Sequence, residues 1–303
     1  MKLILAHNQT EQFVNFYDDL KSKSDAPFDY VSYYDLLFSF MPEAEVPLSF
    51  EVLTTGKNIS DYDGVYINNY LDTYEIAASA AITCKRLGID YVNEELSSPV
   101  SMSKLSMYSK LAAGKVTLPK SYGGAKLAII KANDRIQKNL AFPVVLKRAD
   151  ADRGIDNFKV ANAGEIAELL KDHDNESLWI IQEYVENDGF YLVSFYNDKP
   201  AFSIYRTLEE RADKDEHKAH MFKPFGGRNA SLVEIGDLPG GLVETTTMAV
   251  KAMNRQIASV DCIYDPKTEK TYVLEVNYNP QLVTIETFKD ARVKAFLDNL
   301  KNI

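Results

Sequence analysis

A mixed α/β fold is predicted, and three observations predict it. Short apolar runs alternate with amphipathic segments through the first ninety-odd residues. From Ser101 onward the strands come in adjacent pairs, which gives the second part an α+β character. The 303 residues are 46% hydrophobic and 26% charged, the balance of an ordinary globular chain. Disorder, collagen and low-complexity repeats are excluded, and a chain this long buries enough core to need neither disulfides nor a structural metal.

The elements follow in order. Leu3–Ala6 reads as a buried strand and Glu11–Leu20 as an amphipathic helix. Tyr30–Tyr33, Ser49–Leu53 and Gly64–Ile67 read as strands, and Tyr74–Leu87 as a helix that stops at Gly88. The first strand is followed by HNQT, so the dinucleotide fingerprint is absent, as is a G-x-x-x-x-G-K-[ST] loop. A helix is expected over Ser101–Ala113 and another over Gly124–Leu140. Phe142–Lys147, Phe158–Val160 and Leu178–Val185 are expected as strands, with a helix at Glu165–Leu170. Tyr191–Tyr196 and Ala201–Arg206 form a hairpin about Asn197-Asp198-Lys199-Pro200. After a charged loop come a strand near Ser231–Ile235, a helix near Leu242–Asn254, the strand pair Ala258–Tyr264 and Thr271–Val276, and a last helix from about Val283 to Leu300.

The net charge of −10 lies wholly in the first hundred residues, which hold 16 Asp and Glu against 6 Lys and Arg. That excludes general nucleic-acid binding, because a polyanion is repelled. Cys84 and Cys262 each sit in an apolar stretch and read as free buried thiols. The N-terminal apolar run is too short for a signal peptide and no window spans a membrane, so a cytoplasmic location is expected.

Two stretches carry chemistry. In Val273–Pro280 strand alternation puts Glu275 and Asn277 on one face, with Leu274 and Val276 on the other. Asp261 lies on the preceding strand, and a turn at Pro266–Glu269 brings the two strands together. Two carboxylates and an amide oxygen are hard ligands suited to Mg²⁺ on phosphates; an edge strand with polar residues in solvent accounts for the same spacing. Lys147 ends the strand FPVVLK ahead of a loop with a single glycine, Gly154. A lysine there can meet a phosphate as a point charge, and a surface turn explains it equally well.

In order, Val92-Asn93, Ser103-Lys104-Leu105, Leu118-Pro119, FPVVLK, IIQEYV, SVD and LEVNYNP resemble an ATP-grasp ligase of the RimK type, a carboxylate–amine ligase. The resemblance covers roughly residues 92–303. It implies an ATP-grasp fold preceded by a small pre-ATP-grasp α/β domain. The domains are then 1–95 and 96–303, with the nucleotide between sublobes of about 96–187 and 188–303. It implies Lys104 and Lys147 on the ATP phosphates, Gly154 in the loop over them, and Gln182, Glu183, Tyr184 and Val185 at the adenine. Asp261, Glu275 and Asn277 match the ligands of two Mg²⁺ ions, for which Mn²⁺ can substitute. Arg206 and Lys147 are the implied catalytic cations, with Arg206 over the transferred phosphate.

The activity implied is ATP-dependent amide or peptide bond formation through an acyl phosphate, on small-molecule or peptide carboxylates and amines, without nucleic acid or membrane; a homo-oligomer is compatible with it. The chain departs from the family in an acidic loop, ADADRGIDN, and in Gly189-Phe190-Tyr191-Leu192 where Asp-x-Arg is usual. Two other readings stay open: a catalytically degenerate ATP-binding regulatory or assembly protein, and a small-molecule kinase on the same cradle.

Overall fold

The computed structural model describes residues 1–6, 11–40, 46, 48–68, 73–97, 103–149, 156–175, 177–207, 230–278 and 288–300. The N-terminal part runs β1 (Lys2–Ala6), α1 (Glu11–Lys23), β2 (Phe28–Ser32), β3 (Leu36–Phe40), β4 (Leu48–Val52), β5 (Lys57–Asn58), β6 (Gly64–Ile67), α2 (Tyr74–Leu87) and β7 (Tyr91–Val92). A parallel sheet has the order β2-β1-β6-β7, and β3-β4-β5 is a separate antiparallel sheet. The parallel sheet is covered on both faces, as such sheets must be. Leu3 and Leu5 pack with Phe50, Ala77 and Cys84 on one side. Ile4 faces the other, against Phe16, Tyr66 and Phe296. Helix α2 has the predicted bounds and ends on Gly88 at φ 69°, the left-handed cap that glycine adopts without strain.

Next come α3 (Lys104–Ala113), β8 (Ser121–Ala125), α4 (Lys126–Lys131), α5 (Asn133–Asn139), β9 (Val144–Arg148), β10 (Asn157–Val160), α6 (Ala163–Leu170) and β11 (Leu178–Glu183). Strands β10-β9-β11-β8 form an antiparallel sheet. The helix expected over Gly124–Leu140 is corrected here. Its start is the end of β8, and the rest is two short helices that part at Ala132. The free edge of β11 takes up Ser121–Ala125 as a strand, with Gly123 opposite Ile180. Glycine suits that position because a Cβ on Gly123 would come within 2.5 Å of Leu105 Cδ1 on α3. Tertiary pairing overrides local preference.

The last part holds β12 (Gly189–Tyr196), β13 (Lys199–Thr207), β14 (Ala230–Val233), α7 (Leu242–Ala252), β15 (Ile257–Asp265), β16 (Lys270–Asn277) and α8 (Lys289–Leu300). Its antiparallel sheet has the order β14-β13-β12-β15-β16, so β16 is an edge. Asn197 and Asp198 close the hairpin, both at positive φ, as a two-residue turn of this twist demands. Residues 283–287 of the predicted last helix lie outside the described residues.

The two faces of this sheet differ. Val193, Phe195, Val260, Cys262, Val273 and Val276 pack against α3 and α7. The opposite face buries Tyr196, Phe202, Ile204 and Ile257 under α1 and α8, and carries Asp261, Glu275 and Asn277 further along. The expectation that Leu274 shares a face with Val276 is corrected. Cys262 pairs with Val273 and Asp261 with Glu275, so Leu274 is the extra residue of a β-bulge. The bulge resets the alternation, so Val273 and Val276 both face the helices and Glu275 stays opposite Asp261. Both cysteines are buried and free, as predicted. Among the described residues no helix is long and apolar enough to cross a membrane.

Candidate active site

The register of β15 and β16 builds the site's floor. Asp261 is directly opposite Glu275, and Ser259 is opposite Asn277. Asn277 Nδ2 donates to Asp261 Oδ2 at 3.2 Å, while Asp261 Oδ1 is buried with no hydrogen bond from the described residues. Burial, with Glu275 facing it, pushes the Asp261 carboxyl up to about 7, although Arg206, Asn277 and Lys147 pull the other way. A cation placed here relieves both conditions. The donor set fits Mg²⁺: two facing carboxylates, an orphaned carboxylate oxygen, and an amide whose oxygen turns inward on a half-rotation. Among the described residues no group of three or more His, Cys, Asp or Glu side chains could hold a metal ion.

Cations surround this floor. Lys104 is the first residue of α3, whose N-cap is Ser103, and its backbone N–H donates to the Ala149 carbonyl at the end of β9. Its Nζ lies 3.6 Å from Glu275 Oε1. Lys147, on β9, is half-buried. Burial brings its ammonium down to about 8 and Lys104 adds to this, against the pull of Glu275 and Asp261. Arg206, near the end of β13, has its guanidinium 5.9 Å from the Phe190 ring centroid. Its pKa is lowered by burial against the opposing charge of Asp261. Lys104, Lys147, Arg206, Asp261, Glu275 and Asn277 are thus brought together from four strands and one helix. Gly154 lies outside the described residues.

The residues expected at the adenine are tied into the fold individually. Gln182 is buried and turned toward Tyr108. Glu183 Oε1 accepts from the Lys120 backbone N–H at 2.9 Å. The Tyr184 ring carries Lys159 Nζ at 3.9 Å, and the Val185 carbonyl accepts from Asn187 Nδ2.

Three residues that make contacts here escaped the sequence reading. Tyr108 Oη lies 3.1 Å from the Leu274 carbonyl oxygen and 3.3 Å from Gln182 Oε1. Met107 Sδ accepts from the Val276 N–H at 3.3 Å. Lys159 holds Tyr184, as above. The signal for the first two was the helical spacing of Lys104, Met107, Tyr108 and Leu111, which puts all four on one face.

Comparison with known proteins gives the family. The RimK-like ATP-grasp domain matches residues 101–297. No curated protein matches the chain. Among solved structures, the ATP-grasp ligase PsnB, complexed with precursor peptide PsnA2 and AMPPNP, is 12% identical with a TM-score of 0.65; 97% of this chain and 96% of that one are covered. The D-alanine–D-alanine ligase of Bacillus anthracis complexed with ATP is 16% identical with a TM-score of 0.60, covering 99% and 96%. A RimK domain ATP-grasp protein of Sphaerobacter thermophilus is 12% identical with a TM-score of 0.61, covering 99% and 100%. These likenesses establish the fold. The domain match spans well over half of the chain, from α3 through the strand pair with Asp261 and Glu275, and this protein belongs to the RimK-like ATP-grasp family.

Proposed function

We propose that the protein is an ATP-dependent carboxylate–amine ligase that works through an acyl phosphate. The observation that carries this reading is Asp261 facing Glu275 and Asn277, with a buried oxygen lacking a donor, inside a ring of Lys104, Lys147 and Arg206. The family uses ATP and Mg²⁺, and its solved relatives include a D-cycloserine synthetase and a D-alanine–D-alanine ligase. Residues 1–95 form the preceding domain in this reading, and sublobes 96–187 and 188–303 enclose the nucleotide.

Asp261, Glu275 and Asn277 would hold Mg²⁺, which when bound offsets phosphate charge as a Lewis acid. Lys104 and Lys147 bind phosphate oxygens, and the low pKa of Lys147 rises as that anion arrives. The segment 182–185, with Gly154, holds the rest of the nucleotide. A substrate carboxylate oxygen attacks the γ-phosphorus, the bond to ADP breaks, and an acyl phosphate forms. Arg206 neutralises charge on the transferred phosphoryl group. An amine then attacks the acyl carbon, phosphate leaves with the bonding pair, and the amine proton passes to solvent. Positioning and charge suffice, so no protein nucleophile is required.

The test is ADP release from Mg-ATP with pooled carboxylates and pooled amines, with Glu275→Gln as the blank. Turnover that needs both pools and vanishes in the variant supports the ligase. Turnover without any amine identifies a kinase on the same cradle, and no Mg-ATP binding at all overturns the reading.

A further inference from the structure

Among the described residues strand β16 is the edge of its sheet, so its outward N–H and C=O groups meet no neighbouring strand there. Beside the bulge those groups are satisfied from elsewhere. The Val273 N–H donates to the Thr117 carbonyl at 3.0 Å. The Leu274 carbonyl accepts from Tyr108, and the Val276 N–H donates to Met107 Sδ. Lys104, one turn earlier on the same face of α3, meets Glu275 itself. Three residues of one helix at positions i, i+3 and i+4 therefore grip three consecutive residues of the strand that presents Glu275 and Asn277.

Tyr108 does more than grip the bulge. Its hydroxyl donates within reach of two acceptors, the Leu274 carbonyl oxygen and Gln182 Oε1. The buried tyrosine thereby joins β11 of one sheet to β16 of the other.

We propose that Tyr108, assisted by Met107, is a positioning residue for the metal site: it fixes the bulge at Leu274 that holds Glu275 opposite Asp261. This rests on the reading of Asp261, Glu275 and Asn277 as metal ligands. Groups that orient metal ligands typically affect metal affinity about 10–100-fold.

The test uses the full chain, Mn²⁺ as the probe and AMPPNP at saturation, with bound Mn²⁺ counted by electron paramagnetic resonance. Tyr108→Phe is expected to raise the Mn²⁺ Kd about tenfold, with AMPPNP affinity in EDTA within about twofold of wild type. Met107→Leu, which keeps the volume, is expected to shift Mn²⁺ binding in the same direction by less, and it serves if Tyr108→Phe does not fold. Leu111→Ala loosens the same helix without touching β16's polar groups, and should lower Tm while leaving the Mn²⁺ Kd unchanged. Unchanged Mn²⁺ affinity in Tyr108→Phe, or an equal loss in Leu111→Ala, overturns the proposal. The underlying reading is tested separately: if wild type and Glu275→Gln bind Mn²⁺ alike, the metal assignment itself fails.

Discussion

Glu275 Oε1 lies 3.6 Å from Lys104 Nζ, across the gap between the edge strand of one sheet and the first turn of α3. The lysine assigned to phosphate is thus paired in advance with a carboxylate assigned to the metal. Lys104→Met removes a charge-assisted partner of the phosphates. Nucleotide affinity in EDTA is expected to fall about 10–100-fold, equivalent to roughly 1.5–3 kcal/mol. Calorimetry checks this, and an unchanged Kd would remove Lys104 from the phosphate site.

Lys147 provides a pH signature. Burial holds its pKa at about 8 in the unliganded protein, below that of a lysine in the unfolded chain. Bound phosphate favours the ammonium and raises the pKa again. Nucleotide binding should therefore take up a proton near pH 8–9 and almost none near pH 6.5. Affinity should decline as pH rises through about 8. The stability sign is the reverse of a salt-bridged lysine's: the unfolded chain holds more protons above that value, so the destabilisation is relieved as pH climbs. Titration calorimetry in two buffers of different ionisation enthalpy reads the uptake, and Lys147→Met should abolish it.

Arg255 and Glu95 are both buried, with Nε to Oε1 at 3.6 Å, and the guanidinium lies 3.4 Å over the Tyr278 ring. The pair ties the end of α7 to the segment after β7, next to Asn277. Arg255→Met removes the buried cation facing Glu95 and is expected to cost about 3–5 kcal/mol. Adding Glu95→Leu should recover most of it. Urea denaturation of the two variants decides; no recovery would mean that Arg255 acts through packing on Tyr278 instead.

A Cβ on Gly189 would overlap the backbone carbonyl oxygen of Arg206 on the paired strand, an atom that cannot swing aside. Gly189→Ala should lower stability by about 1–3 kcal/mol as an overpacking change. It should also lower kcat more than it changes the KM for ATP, because the arginine moves with its backbone. Steady-state rates with Tm alongside separate the two effects.

Much of this site was legible because its polar residues interrupt apolar strands. Asp261, Glu275 and Asn277 stand out from SVDCI and LEVN, and Lys147 from FPVVL. Strand alternation alone put Leu274 and Val276 on one face. The bulge depends on pairing with β15, which no single strand's periodicity encodes. Strand β8 was missed for a related reason: Gly123 and Gly124 carry no strand signal, and their conformation is set by the edge of β11 and the close approach of α3. Helices with local stop signals fared better, α2 and its Gly88 being the clearest.

Ile4, Phe16 and Phe28 share a single core cluster with Val293 and Phe296. Helix α8 therefore closes the far face of a sheet whose first strand begins at Lys2. During synthesis the strands of that sheet are made well before α8, and α1 covers only part of this face until that helix arrives. Contacts of such long range slow folding, and they leave apolar surface open to other chains in the meantime. The strands of that sheet thus come long before the helix that completes their cover.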